Sequence, residues 1–548
     1  MEEIKKEILC EIEPFKENGY EFLNKNMSKM DFRSISCGFG VYAQRNQKDF
    51  VIRLRTSSGV IALDQLKKIY EWANKYEVEY LHFTTRQSIQ YHGLTIDDTC
   101  SLMEEALNYN IFTRGAGGNY PRNVALSPLS GVDKNEAFDV TQYAIACDNY
   151  FMKRITSYKL PRKIKVAFSN SEEDTACCTV QDLGFMAVNN EGKKCFRVYV
   201  GGGLGRNPKK ALVYPELIDA NEVLYYVQGM VDFFISEGNY ENKSKARIRY
   251  IVEKLGEEGF IECYKKHVEA AKAKGGLSLE CEEIKNTKKG IKVDIIDNRL
   301  IEQKQEGLYS VYLHPVGGQI ALENLKEIIM ILETCESPEI RLSKTEGIYF
   351  RNLNGVEAKD LLEITKDMGG ESDFEQSISC IGVPTCQIGI CDSQDTLREM
   401  ITYVKENKGD TKYLPKVYIS GCGNSCGAQE IGAIGFAGKK KRVDNELLEC
   451  FELFVDGSHK ANEVRLAEKY GEILSETLKD GGVKVNGVFE RKDMTGFNWS
   501  QRPVIILEMG FMSNYNEDQM LSDPAYQKLL MKCVSEAIDN YSEKVLKG

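Results

Sequence analysis

The chain has 548 residues, 42% of them hydrophobic and 28% charged, with a net charge of −11 and 17 cysteines. That length allows several domains, the acidic balance argues against nucleic acid as a partner, and no apolar run approaches the roughly 18 residues of a membrane span. The N-terminus MEEIKKEILCEIEPF is charged from its second residue and has no signal-peptide core, so a cytoplasmic location is expected, where cysteines point to metal, catalysis or burial rather than disulfides.

Residues 1–35 read as an N-terminal arm containing a helix. FVIRLRTSS (50–58) alternates as a strand, and IALDQLKKIYEWANKY (61–76) carries helical apolar spacing. YLHFTT (80–85) is a second strand leading into QSIQYHGL, and TCSLMEEALNYN (99–110) is a further helix. This order predicts a ferredoxin-like α+β half-domain over 36–110, followed by a lobe over 111–243. The charged stretch SKARIRYIVEKLGEEGFIECYKKHVEAAKAKGG (244–276) reads as the start of a helical linker over 244–305. The pattern then returns. IALDQL (61–66) meets IALENL (320–325), LPRKIK (160–165) meets LPK (414–416), and CFRVYVGG (195–202) meets CFELFVDG (450–457). All three matches lie about 255 residues apart, which predicts an internal duplication with a second half-domain over 306–370 and a second lobe over 371–458.

The two halves carry different chemistry. The first holds Arg86 in TTRQSIQYHGL, Arg122 in GGNYPRNVALS, and Lys163 and Lys165 in LPRKIKVAFSN, with Lys163 and Lys165 on one face of a strand and Arg162 on the other. Two Arg and two Lys converging on a pocket would bind a small oxyanion through charge-assisted hydrogen bonds and could deliver protons to departing oxygens. The loop VGGGLG, with Gly201, Gly202 and Gly203, offers backbone N–H groups to an anion. It is not a dinucleotide fingerprint, because Arg206 stands where the last glycine belongs. The second half holds Cys380 and Cys386 six apart, then Cys422 and Cys426 four apart, among Gly, Pro, Ser and Asn. By spacing alone these thiols suit an iron–sulfur cluster, zinc or simple burial. A duplicated fold whose halves specialise implies one composite site between them.

In order, TTRQSIQYHGL, PRNV, LPRKIK, VGGGLG, the Cys380–Cys386 segment and GCGNSCGAQEIGAIGF resemble the siroheme-dependent nitrite and sulfite reductases, over about residues 35–457. The resemblance implies an α+β protein with pseudo-twofold symmetry, in which two ferredoxin-like half-domains and two α/β lobes surround a siroheme packed against a 4Fe-4S cluster. It implies that Cys380, Cys386, Cys422 and Cys426 hold the cluster, with Cys426 bridging to the siroheme iron, and that Arg86, Arg122, Lys163 and Lys165 bind and protonate the anion. The implied reaction is the six-electron reduction of sulfite to sulfide or nitrite to ammonia. No flavin or nicotinamide motif is present, so an external donor such as ferredoxin is expected.

After Gly457 the match stops and DGSHK (456–460) holds the place of the glycine loop. RKDMTGFNWSQRPVIILEMGFMSNYNEDQMLSDPAYQ (491–527) resembles the end of a zinc-dependent N-acetylmuramoyl-L-alanine amidase, in which Glu508 would match the catalytic glutamate, and the short α/β tail spans 459–548. That family's zinc-binding histidines lie upstream and have no counterpart here, so the reductase is the expected activity. A reductase-like protein impaired by a shortened second lobe, and a zinc amidase in the tail, are the alternatives.

Overall fold

The computed structural model describes residues 1–282, 286–407, 410–443, 446–469, 480 and 523–546. Each half-domain is built from the elements that the apolar spacing dictates. In the first, the helix Leu63–Lys75 buries Leu66, Ile69, Trp72 and Ala73 on one stripe. The helix Ile96–Asn108 opens on Thr95, whose hydroxyl accepts from Asp98 N at 3.1 Å while the Asp98 carboxylate returns to Thr95 N at 3.3 Å. The helix Glu2–Leu23 closes the same core with Ile4, Ile8, Ile12, Phe15 and Phe22.

Two five-stranded sheets result, and they exchange an edge. One runs Val41–Ala43, Phe50–Arg55, Ser88–Leu94, Tyr80–Phe83 and then Gln319–Ala321, which comes from the second half. The other runs Leu300–Glu302, Leu308–Leu313, Ile348–Asn354, Glu339–Leu342 and then Val60–Ile61, from the first half. Ile320 pairs with Leu81, and Ile61 pairs reciprocally with Ile340. Each short strand leads straight into one of the repeated helices, Leu63–Lys75 and Leu322–Leu332. The exchange covers an edge that each sheet would otherwise expose and fuses the half-domains into one core.

The lobes repeat one another strand for strand. In the first, Ala125–Leu126, Val166–Ser169 and Leu183–Asn190 run parallel and Lys193–Val200 returns antiparallel. In the second, Ile378–Ser379, Val417–Ser420 and Ile434–Val443 run parallel and Glu446–Val455 returns antiparallel. The architecture is α+β with pseudo-twofold symmetry. The helical run Arg249–Lys274, broken at Gly256, packs Phe260, Tyr264 and Val268 into the core of the first lobe against Met230, Phe233 and Phe234. Apart from the buried Arg249, its charges occupy the outer face, which is why the stretch reads as a solvated connector in sequence.

The symmetry extends past Gly457. Gly201 (φ 77°) and Asp456 (φ 64°) occupy matching left-handed positions after their strands. Gly203 and Lys209 form an antiparallel bridge, as do Ser458 and Arg465. Glu468–Lys469 then pairs with Phe454 and Val455, as Leu212–Val213 pairs with Tyr199 and Val200. DGSHK is therefore the structural mate of the glycine loop, and the second lobe keeps its loop and return strand. Of the later residues, the helix Pro524–Leu546 is described. Among the described residues no helix is long and apolar enough to cross a membrane.

Candidate functional site

The cations gather where the first half-domain meets its lobe. Arg86 ends the strand-turn TTRQ, and its guanidinium donates to Gln181 Oε1 at 3.0 Å and Val166 O at 2.8 Å, leaving Nε without a partner. Arg122 is held by two carbonyls of the glycine-rich loop, Gly115 O at 3.3 Å and Gly118 O at 2.9 Å. Lys163 and Lys165 lie in the extended segment entering the strand Val166–Ser169, on either side of Ile164, which bridges Pro121. Both are half-buried. Arg162 lies at the edge of the group, donating to Asn119 Oδ1 at 3.1 Å.

These charges feel one another. Burial lowers Lys163, and Arg247, Arg122 and Arg162 lower it further. Burial also lowers Lys165, with Lys163, Arg247 and Arg86 adding to the effect. Burial, offset in part by Asp182, takes Arg86 down to about 9, and burial takes Arg122 down to about 10. Four cations crowded into a poorly solvated space repel each other, and an anion relieves that repulsion.

Two further arginines, absent from the expected set, frame the group. Arg247 makes a buried two-pronged pair with Asp182, at 3.0 and 2.9 Å from Nη2, and Asp182 also accepts from Lys165 N at 2.8 Å. Arg249 leaves Nε and Nη1 unpartnered. Both face Gly203, where a Cβ would stand 2.9 Å from Arg249 Nη1 and 3.1 Å from Arg247 Nη2. A side chain there would fill the space in front of two guanidinium groups. The run ARIRY carries these residues inside a charged stretch, and only their alternation hinted at a buried pair.

The thiol wall belongs to the second lobe. Cys380 follows the strand Ile378–Ser379, and its sulfur accepts from Gly421 N at 3.1 Å. Cys422 Sγ accepts from Asn424 Nδ2 at 3.4 Å. Burial raises the Cys380, Cys386 and Cys422 thiols, and in each case Cys426 raises them further. Cys380, Cys386 and Cys422 thus each lie within electrostatic reach of Cys426. Among the described residues no three His, Cys, Asp or Glu side chains converge closely enough to share a single metal ion. A four-iron cluster needs a wider set, since each thiolate binds a different iron.

The walls meet. Thr85, next to Arg86, donates its hydroxyl to Cys426 O at 2.8 Å. Gly205 N donates to Glu430 Oε1 at 3.1 Å, and Glu430 also accepts from the Ser425 hydroxyl beside Cys426. Lys163 lies within electrostatic reach of the Cys426 sulfur. The structure therefore brings Arg86, Arg122, Lys163, Lys165, Gly201, Gly202 and Gly203 together with the turn that carries Cys422 and Cys426. Glu508 lies outside the described residues. Unpartnered guanidinium nitrogens, a cradle that a Cβ would fill and four thiols fit a polyanionic tetrapyrrole beside an iron–sulfur cluster.

The nitrite and sulphite reductase 4Fe-4S domain model matches residues 117–272, and the nitrite/sulfite reductase ferredoxin-like half-domain model matches 42–109 and 301–368. The N-acetylmuramoyl-L-alanine amidase model matches 441–540. An assimilatory ferredoxin-dependent nitrite reductase from Haloferax mediterranei is 24% identical over 472 residues, covering 82% of this chain and 80% of that one. A ferredoxin–nitrite reductase from Synechococcus elongatus is 24% identical, covering 74% of this chain and 80% of its own. A ferredoxin sulfite reductase from Mycobacterium tuberculosis is 22% identical, covering 76% and 77%. The solved structure of the M. tuberculosis NirA protein shares the fold, with a TM-score of 0.70 at 22% identity over 81% of this chain and 84% of that one.

Proposed function

We propose, from the premise that this chain belongs to the nitrite and sulfite reductase family, that its cations and thiols form one site for reducing a small oxyanion. The chain is an oxidoreductase that uses siroheme and a 4Fe-4S cluster to reduce nitrite or sulfite. Cys380, Cys386, Cys422 and Cys426 would hold the cluster, with Cys426 nearest the cations. Gly201, Gly202 and Gly203, with Arg247 and Arg249, would receive carboxylates of the tetrapyrrole. The cluster and siroheme, when bound, supply electrons and an iron centre for the anion.

The remaining work falls to Arg86, Arg122, Lys163 and Lys165. They neutralise the entering anion, orient it and hold protons near the oxygens that leave as water. The observation that carries this reading is a group of four cations that, among the described residues, form no ion pair with a carboxylate, next to the turn of Cys426. The curated relatives are named for ferredoxin, and an external one-electron donor, reaching the chain in the cytoplasm, completes the proposal. A zinc site in the tail gains no support, because all five histidines, the last being His459, precede the amidase-like motif.

The test is purified, cofactor-loaded protein assayed with a reduced one-electron donor against nitrite and sulfite in parallel. We expect siroheme absorption, cluster iron and sulfide, and turnover of one or both anions. Cys426→Ser should retain the fold while losing cluster-to-siroheme coupling in the electron paramagnetic spectrum. Protein that takes up neither cofactor on reconstitution would refute the proposal.

A further inference from the structure

We propose that Lys344, supplied by the second half-domain, is a specificity-determining cation of this oxyanion site, placed beside Arg86 to favour a doubly charged anion over a singly charged one. The inference rests on the reading that Arg86, Arg122, Lys163 and Lys165 receive the oxyanion.

Lys344 lies in the turn Ser343–Gly347, the symmetry mate of Thr84–Ser88. Gln87 (φ 53°) and Glu346 (φ 65°) occupy matching left-handed positions in the two turns. They also make matching contacts. Gln87 Oε1 accepts from Leu126 N at 2.9 Å, and Glu346 Oε2 accepts from Ser379 N at 3.0 Å, each tying its turn to the first strand of a lobe. In this register Thr345 corresponds to Arg86, so the alignment alone assigns no cation to the second half. The residue before it, Lys344, reaches across instead. Its ammonium lies 3.4 Å from Thr85 O, and Thr85 is the residue whose hydroxyl binds Cys426 O at 2.8 Å.

Lys344 is half-buried. No ion pair is formed by it among the described residues. It lies within electrostatic reach of Arg86, Cys177 and Asp174, and its charge is felt at Lys165. Asp174 offers weak compensation. Its carboxylate already accepts from Ser169 Oγ at 2.6 Å, Cys178 N at 2.7 Å, and Thr179 N and Oγ1 at 3.0 and 2.9 Å. Lys344 therefore adds to the cation group, from the opposite half of the molecule, a positive charge that has no ion-pair partner among the described residues.

Coulomb energy is proportional to the charge of the ligand. A cation that binds a monoanion about threefold more tightly should bind a dianion of the same size about tenfold more tightly, the square of that factor. Nitrite carries one charge. Sulfite in mildly alkaline buffer carries two. The same ammonium could instead meet a carboxylate of the tetrapyrrole, and the experiment separates the two sources.

Lys344→Met and Lys344→Arg are prepared in the full-length, cofactor-loaded protein. Siroheme and iron content are measured, and dissociation constants for sulfite and nitrite are read from the siroheme absorption of the oxidised protein. We expect unchanged cofactor content, sulfite weakened about tenfold and nitrite about threefold in Lys344→Met, and recovery in Lys344→Arg. Equal factors for the two anions, or no change, would overturn the assignment. Loss of siroheme would also overturn it and assign Lys344 to a cofactor carboxylate. Lys163→Met, run alongside, tests the underlying reading. If it leaves both constants unchanged, the oxyanion site itself is misassigned and the role of Lys344 falls with it. If it weakens both while Lys344→Met does not, only the role of Lys344 falls.

Discussion

Lys163 and Lys165 have their charge depressed by burial and by neighbouring cations. An anion that relieves the repulsion must restore their pKa, so binding takes up protons. Affinity should therefore be full below the depressed values and fall as pH rises from there toward the ordinary lysine range. The protein without anion shows the opposite trend. The folded state binds fewer protons than the unfolded one in that window, so its stability rises with pH across it. Spectral titration of the anion over a pH series checks the first statement, and Lys163→Met should flatten it. Because Lys163 also lies within electrostatic reach of Cys426, the same variant should keep its cofactors and lose about 100-fold in kcat, the order expected for removing one preorganised charge stabiliser. Asp182 makes a different demand. It is fully buried, compensates Arg247 and receives the Lys165 N–H. Asp182→Asn leaves a buried guanidinium without its counter-charge and should cost about 3 kcal/mol, read as a lower urea midpoint at unchanged slope.

The elements that present these residues were unequally legible. The repeated helices Leu63–Lys75 and Leu322–Leu332 showed in sequence because a helix of that length repeats its apolar stripe over several turns. The exchanged strands Val60–Ile61 and Gln319–Ala321 did not, because two or three residues carry no period and their partners are far away in the chain. Arg247 and Arg249 were hidden for a related reason. They open a helical run whose remaining charges are solvated, and burial at one end leaves no mark on composition. The N-terminal helix is a third case, since its distance in sequence from the cations concealed a link to Arg122. Glu11 on that helix accepts from Arg114 Nε at 2.8 Å and Nη2 at 3.2 Å. Arg114 stacks between Phe39 and Tyr120 and opens the loop whose Gly115 and Gly118 carbonyls hold Arg122. Glu11→Ala should loosen that loop. We expect siroheme content to persist while KM for the anion rises about threefold to tenfold, as for the loss of a partly buried ion pair worth roughly 1 kcal/mol. A rise that Arg114→Ala fails to reproduce would disconnect the helix from the site.

At the scale of the molecule, the lobes grip each other through their loops. Gly205 reaches from the first lobe to Glu430 in the second. In return, His459 O accepts from Thr179 Oγ1 at 3.1 Å, and Ala461 N donates to Glu172 O at 3.0 Å. The two lobes are thus joined from both sides, by Gly205 of the first and by His459 and Ala461 of the second. In the first lobe, however, the glycine loop leads on to the helix Val223–Glu237, which buries Val227, Met230, Phe233 and Phe234 in that lobe's core. The described part of the chain after Lys469 that could answer to it is the helix Pro524–Leu546, which buries Leu530 and Cys533, three residues apart and therefore on one face. A helix of an independent hydrolase module would be dispensable to the reductase. A helix that replaces a missing wall of the second lobe would not. Leu530 and Cys533 show that one face of the helix is covered, and the second case is the one put to the test. Leu530→Ala should cost about 2–3 kcal/mol, and a chain ending at Lys469 should take up less cluster iron and siroheme than the full chain under identical reconstitution. Equal cofactor content in the two would show that the second lobe closes without the tail, and would leave the amidase-like segment as a passenger on a complete reductase.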